Sequence, residues 1–154
     1  MLRDARDADR PALVDIWVAA WRAAMPEIDF DARRPWLEGR LDGLAASGAR
    51  LLVAEVDGAP VGFVTVDPAR LHLDQLAVHP AHQGSGVADR LMEGAKALSP
   101  GGLALDVNAA NARARRFYAR HGFRPEAAGT NPRSGLPTLE LRWRAGAEPP
   151  PPEP

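Results

Sequence analysis

Apolar residues recur with a helical period over the first fifty positions and then change to the period of a strand. Leu13, Ile16, Trp17, Ala20 and Trp21 stand at i, i+3, i+4, i+7 and i+8, one face of an amphipathic helix. Asp9 reads as its N-cap, with Pro11 in the first turn where the missing N–H costs nothing. Pro26 interrupts it. Leu37, Arg40, Leu41 and Leu44 repeat the spacing in a second helix, which Gly48 stops. A short strand over residues 2–6 precedes both. Residues 51–56 and 61–66 are β-rich runs flanking Asp57-Gly58-Ala59-Pro60, which predicts a hairpin. Residues 71–78 form a third long strand. Strict alternation puts His72, Asp74, Leu76 and Val78 on one of its faces, and Leu71, Leu73, Gln75 and Ala77 on the other.

His79-Pro80 ends that strand, and the glycine loop Gln83-Gly84-Ser85-Gly86 opens a helix. Val87, Leu91, Ala95 and Leu98 are its buried stripe, while Arg90, Glu93 and Lys96 face water. Residues 103–107 form the next strand. The intervening helix makes it a parallel neighbour of 71–78 through a right-handed crossover. A last helix runs over 111–121 and stops at Gly122. Closing strands are expected at 123–124 and 138–143, separated by a loop over 126–137. These elements predict a single α/β domain over residues 1–145. Its sheet is mixed and mostly antiparallel, with about six or seven strands and about four flanking helices. The Pro-rich tail 146–154 is expected to be disordered or polyproline II.

Composition narrows the function classes. The chain has 154 residues, 45% hydrophobic and 25% charged, with net charge −1 and no cysteine. Near-neutrality argues against a nucleic-acid or polybasic membrane binder. The absence of cysteine excludes disulfides, thiolate metal sites and a catalytic thiol. No signal peptide is visible and no apolar stretch approaches the length of a membrane span, so a cytoplasmic protein without a metal is expected. Lys96 is the only lysine; the other cations are arginine, a choice that fits GC-rich codons.

The chemistry concentrates in Val78-His79-Pro80-Ala81-His82-Gln83-Gly84-Ser85-Gly86-Val87-Ala88. A strand, a glycine turn and a helix N-terminus in that order make an anion site, because first-turn N–H groups lack intrahelical partners and glycines admit a phosphate close to the backbone. A nucleoside-triphosphate loop needs Gly-Lys-Ser/Thr, where Val87 and Ala88 stand instead. A dinucleotide fingerprint finds Gly84 and Gly86 but Asp89 at its third glycine, although Asp106 mimics the ribose-binding acid. A glycine turn that merely starts a helix is the third reading.

A fourth reading fits more of the chain. Gln83-x-x-Gly86-x-Ala88 resembles the Q/R-x-x-G-x-G/A signature of the GCN5-related N-acetyltransferase superfamily. Asn111-x-x-Ala114-x-x-Phe117-Tyr118-x-x-x-Gly122-Phe123 resembles that family's second signature, and Val61-Gly62-Phe63 and Leu76-Ala77-Val78-His79-Pro80 also look like family features. The resemblance spans roughly residues 51–123. It implies a fold in which the fourth and fifth strands run parallel and splay apart, acetyl-coenzyme A as co-substrate, and direct acetyl transfer to a primary amine. The amides of Gln83, Gly84, Ser85, Gly86, Val87 and Ala88 would bind the pyrophosphate, and the backbone of Leu76, Ala77 and Val78 the pantetheine and thioester.

At about 100° per residue, Asn111, Arg115 and Tyr118 share the helix face turned to the splayed strands, with Arg113, Arg116 and Arg120 opposite, on an outward face that reads as solvated unless one of them reaches the adenosine 3′-phosphate of the co-substrate. The resemblance makes Tyr118 the acid that protonates the departing thiolate. Asn111 and Arg115 join the cofactor site, with Asn108 contributing from the strand end. Many family members carry a glutamate base on the fourth strand; none is present here. His72 falls nearest that position and Asp74 either orients it or binds a cationic acceptor, while a water chain or no base at all stays open. Trp21, Met25 and Phe30 are expected to line the acceptor pocket, with Arg133 binding a carboxylate. Glu27, Asp29 and Asp31 form an acidic break that either attracts an ammonium or is solvated loop. The expected partner is a small-molecule or peptide amine, with no nucleic acid, no membrane, and room for a homodimer. The rival class is a non-catalytic coenzyme A sensor or scaffold.

Overall fold

A computed structural model describes residues 1–146, so the tail expected over 146–154 lies, apart from Gly146, outside the described residues. Seven strands form one sheet: β1 (Leu2–Asp4), β2 (Arg50–Val56), β3 (Ala59–Asp67), β4 (His72–Val78), β5 (Leu103–Asn108), β6 (Arg124–Thr130) and β7 (Pro137–Trp143). Four α-helices accompany them: α1 (Arg10–Ala24), α2 (Arg34–Ala46), α3 (Val87–Leu98) and α4 (Ala112–Arg120). The strand order is β1-β2-β3-β4-β5-β7-β6, and only β4 and β5 pair in parallel. Among the described residues no helix is long and apolar enough to cross a membrane.

The sheet separates two apolar layers. Leu13, Ile16 and Trp17 of α1 and Leu37 and Leu41 of α2 pack on Val53, Phe63 and Ala77. On the other side, Leu91, Met92 and Ala95 of α3 pack on Leu52, Val64, Leu73, Leu105 and Leu141. Strand alternation sends Leu52 and Val53 to opposite layers, as it does Phe63 and Val64. The β2–β3 turn takes positive φ at both Asp57 and Gly58, the mirror-image turn whose twist suits a hairpin.

Four local expectations are corrected. Asp9 precedes α1 but does not cap it with its side chain. Its carboxylate accepts both Arg3 Nη groups, at 2.7 and 2.8 Å, and the Arg6 N–H at 2.7 Å. Lys96 does not simply face water: its Nζ donates to the His121 carbonyl at 2.6 Å and lies 4.8 Å from the Trp143 ring centroid. The loop expected over 126–137 is largely strand. All seven residues of β6 are exposed, so no buried alternation marks them in the sequence, and β7 supplies their pairing instead. Strict alternation also fails in β4. Val64 pairs with Leu76 and Val66 with Leu73, so Asp74 and Gln75 together oppose Thr65. This β-bulge shifts the phase of the strand by one residue.

The Arg3–Asp9 pair predicts an acid response. The guanidinium holds the Asp9 carboxyl at about 2, below its ordinary 3.8. A depressed folded value gives stability that is complete above pH 4 and is lost as pH falls toward 2. Asp9→Asn is expected to cost about 2–3 kcal/mol at pH 7. In urea titrations the gap between parent and variant narrows as pH drops from 4 to 2; a constant gap would refute the assignment.

Candidate active site

Parallel pairing between β4 and β5 is confined to their N-terminal ends, at His72↔Ala104, with Ala104 N–H donating to the Leu71 carbonyl at 2.8 Å. Beyond that rung the strands diverge. On its other edge β4 stays paired with β3: His79 N–H donates to the Val61 carbonyl at 2.8 Å. Antiparallel alternation then turns the Ala77 N–H toward β3, and the Leu76 and Val78 N–H groups into the gap. The bulge fixes this phase, and side chains hold the bulge. Gln75 N–H donates to Oγ1 of the fully buried Thr65 at 2.8 Å. Trp17 Nε1 donates to Gln75 Oε1 at 3.1 Å, and Gln75 Nε2 donates to Asp74 Oδ2 at 3.1 Å. Arg40 grips the same carboxylate from α2 at 2.5 and 3.0 Å. Burial opposes charge on Asp74, but the Arg40 and Gln75 hydrogen bonds prevail and hold its carboxyl below the usual range.

The gap opens into a cleft of about 1010 Å³. At one end, a 3-10 turn (Pro80–His82) leads into residues 83–86 and the start of α3. Gly84 and Gly86 have φ of +77° and +86°, and a Cβ built on either meets nothing within 4 Å. The loop is therefore open on its outer side and shaped by residues that tolerate the left-handed region. Ser85 Oγ donates to the His82 carbonyl, inside the loop. Gln83 ties the loop to its surroundings: its Nε2 donates to the Val78 carbonyl at 3.4 Å, and its Oε1 accepts from Arg113 at 2.9 Å. Arg113, Arg116 and Arg120 line the cleft, contrary to the outward face expected from helical geometry, because the cleft runs along α4 from Ala112 to Arg120. Open glycines, a helix N-terminus and these guanidiniums fit a phosphorylated co-substrate.

Tyr118 lines the same cleft as that loop and the strand gap. Its ring packs edge-on against Phe117 and Phe123, at 5.3 and 5.7 Å between centroids. Burial pushes its phenol up to about 12. Among the described residues the hydroxyl has no hydrogen-bond partner and no buried side-chain polar atom is left unpaired, so the hydroxyl reaches the open cleft. Asn111 caps α4, its Oδ1 accepting from Ala114 N–H at 3.1 Å, and also lines the cleft. Asn108 Nδ2 reaches Met25 Sδ across the cleft at 3.8 Å.

The other end is apolar. Trp21, Ala24 and Met25 from the end of α1 face Leu136 and Pro137 from the β6–β7 turn. Arg133 lies over the Trp36 ring, 4.5 Å from its centroid, and so clasps that turn to α2.

Several expected site residues lie elsewhere. His72 and Asp74 line a separate recess of about 270 Å³ with Arg40, Gly43 and Thr65, on the α2 side of the sheet. They do not share a face with Leu76 and Val78, which pack with the α3 layer. Phe30 is 3% exposed, with ring centroids of Trp17 and Trp21 each 5.5 Å away, so it supports the wall from behind. Arg115 donates to the Ala109 carbonyl at 3.0 Å and is not on the cleft wall. Val87 is buried under the loop, so only its backbone is available to a ligand. Thr65, the support of the bulge, carries no signal in the sequence, since a bulge announces itself by neither a turn residue nor a break in hydropathy.

Comparison with known proteins agrees with this geometry. Residues 47–125 match the family model described as an acetyltransferase (GNAT) domain. Peptidyl-lysine N-acetyltransferase YiaC of Escherichia coli is 28% identical over 143 residues, covering 93% of this chain and 96% of that protein. Peptidyl-lysine N-acetyltransferase YjaB of Salmonella typhimurium is 35% identical over 111 residues, 70% of this chain and 74% of that one. The PaiA N-acetyltransferase of Thermoplasma acidophilum, solved in complex with coenzyme A, has the same fold, with a TM-score of 0.77 at 15% identity over 94% of this chain and 98% of that one. Fold and cleft thus define an acyl-transferring enzyme. The chain belongs to the GNAT family of N-acetyltransferases.

Proposed function

We propose that this enzyme transfers an acetyl group from acetyl-coenzyme A directly to the primary amine of a lysine side chain in a peptide. One observation carries the reading: the Leu76 and Val78 amides face an open strand gap in the same cleft that the glycine loop and Tyr118 line. The likeness to two peptidyl-lysine acetyltransferases supports the choice of acceptor.

The chain's groups divide the work. Amides at the start of α3, with Arg113, Arg116 and Arg120, hold the diphosphate and phosphate. The Leu76 and Val78 N–H groups orient the thioester and donate to its carbonyl oxygen as negative charge builds there. The amine nitrogen attacks the carbonyl carbon, a C–N bond forms and the C–S bond breaks. Tyr118 gives its proton to the leaving sulfur. The amine proton passes to solvent, since His72 and Asp74 face the separate recess.

That placement of His72 and Asp74 also favours a second reading, a module that binds coenzyme A without turnover. A thiol-release assay separates the two. Peptides with an internal lysine and a blocked N-terminus are compared with lysine-free peptides bearing a free N-terminus and with polyamines. The expected result is turnover of the lysyl peptides. Binding of acetyl-coenzyme A with no thiol release from any acceptor would select the second reading.

A further inference from the structure

Three acids follow the end of α1, and the structure treats them differently. Asp29 Oδ1 accepts the Ala32 N–H at 3.3 Å. Asp31 pairs with Arg34 at 2.9 Å and with Arg22 at 3.1 Å. Glu27 makes no hydrogen bond or ion pair among the described residues, is exposed, and lines the cleft. Its neighbours on that wall, Trp21, Ala24, Met25 and Leu136, are apolar. The other carboxylate of the cleft, Asp89, is engaged by His121 at 2.7 Å and Arg120 at 3.7 Å. The cleft cations Arg113, Arg116 and Arg120 all belong to α4. Charge therefore changes sign along one continuous cavity, from guanidiniums beside the glycine loop to a single uncommitted carboxylate at the apolar mouth.

We infer that Glu27 determines acceptor specificity, selecting a protonated amine at the end of an apolar stem. The mouth offers such a molecule what its two parts need. Indole, thioether and leucine surface takes the methylenes, and one carboxylate meets the ammonium before it sheds its proton and enters the gap. A neutral aromatic amine gains nothing from that carboxylate. An acidic acceptor is repelled by it. This inference rests on the amine-acceptor reading above and assigns the preference within it to one side chain.

The test uses the full-length protein, Glu27→Gln and Glu27→Lys, in thiol-release assays with two acceptors. One is an N-terminally blocked lysyl peptide, the other an uncharged aromatic amine. For the lysyl peptide, KM is expected to rise about 10-fold in Glu27→Gln and further in Glu27→Lys, because the loss is of one charge-assisted contact. The KM for acetyl-coenzyme A and the kcat/KM for the aromatic amine are expected to hold. A matching loss with both acceptors points to a merely structural role and overturns the inference, as does an unchanged lysyl-peptide KM. Salt dependence decides the matter where the aromatic amine is not turned over. The parent's lysyl-peptide KM rises with salt and that of Glu27→Gln does not; equal slopes overturn the inference. A parent that acetylates no amine at all removes the functional reading itself, and this inference with it.

Discussion

Tyr118→Phe is expected to lower kcat about 100-fold while leaving the KM for acetyl-coenzyme A within about 3-fold, the pattern of a lost proton donor. The substitution removes one oxygen atom and keeps the ring contacts with Phe117 and Phe123. Among the described residues the hydroxyl has no hydrogen-bond partner, so its loss orphans no other group and stability should hold. A departing thiolate needs a proton from a group still protonated at working pH. Burial has raised this phenol to about 12, so it keeps its proton over the whole range in which the enzyme is assayed. The basic limb of the rate profile should therefore contain no ionisation of Tyr118 below about pH 11. Steady-state kinetics from about pH 6 to about pH 11 checks both statements. An unchanged kcat in the variant would remove Tyr118 from the chemistry.

Gly86→Glu should abolish binding of coenzyme A, raising its dissociation constant by at least about 100-fold through like-charge contact. Two effects add. Glycine at φ +86° sits where an L side chain costs about 1–2 kcal/mol. The new carboxylate also stands at the N-terminus of α3, where the diphosphate would lie. Gly86→Ala separates them, because it carries the backbone strain without the charge, and a Cβ there meets nothing within 4 Å. The alanine variant should melt slightly lower and still be stabilised by the ligand. The glutamate variant should show no ligand-induced shift in Tm. A parent-like shift in the glutamate variant would refute the phosphate assignment.

The parts of the molecule that obey a period or a signature are legible in the chain. Leu13, Ile16 and Trp17 mark α1 because its buried face repeats every 3.6 residues. Gly84 and Gly86 mark the loop because it needs positive φ at both. The failures share a cause, which is that neighbours distant in sequence decide the outcome. β6 has no apolar face to betray it, and β7 makes it a strand. Phe30 reads as a pocket-lining aromatic until Trp17 and Trp21 close over it. Arg113 reads as solvated until Gln83, 30 residues away, accepts its hydrogen bond. Counting in twos puts His72 and Asp74 beside Leu76 and Val78, and the bulge makes that count wrong by one.

That single extra residue has a consequence for what the chain tolerates. It lets β4 serve two masters: its first half answers to Arg40 on α2, and its second half presents amides to the gap. A smooth strand of the same length would force a choice. Either Asp74 turns into the hydrocarbon layer beneath α3, or the Leu76 and Val78 N–H groups swing back against β3 and the crevice loses its donors. Deleting Gln75 avoids that choice, because plain alternation then keeps Asp74 toward α2 and the two amides in the gap, and only the bonds of Gln75 to Trp17, Thr65 and Asp74 are lost.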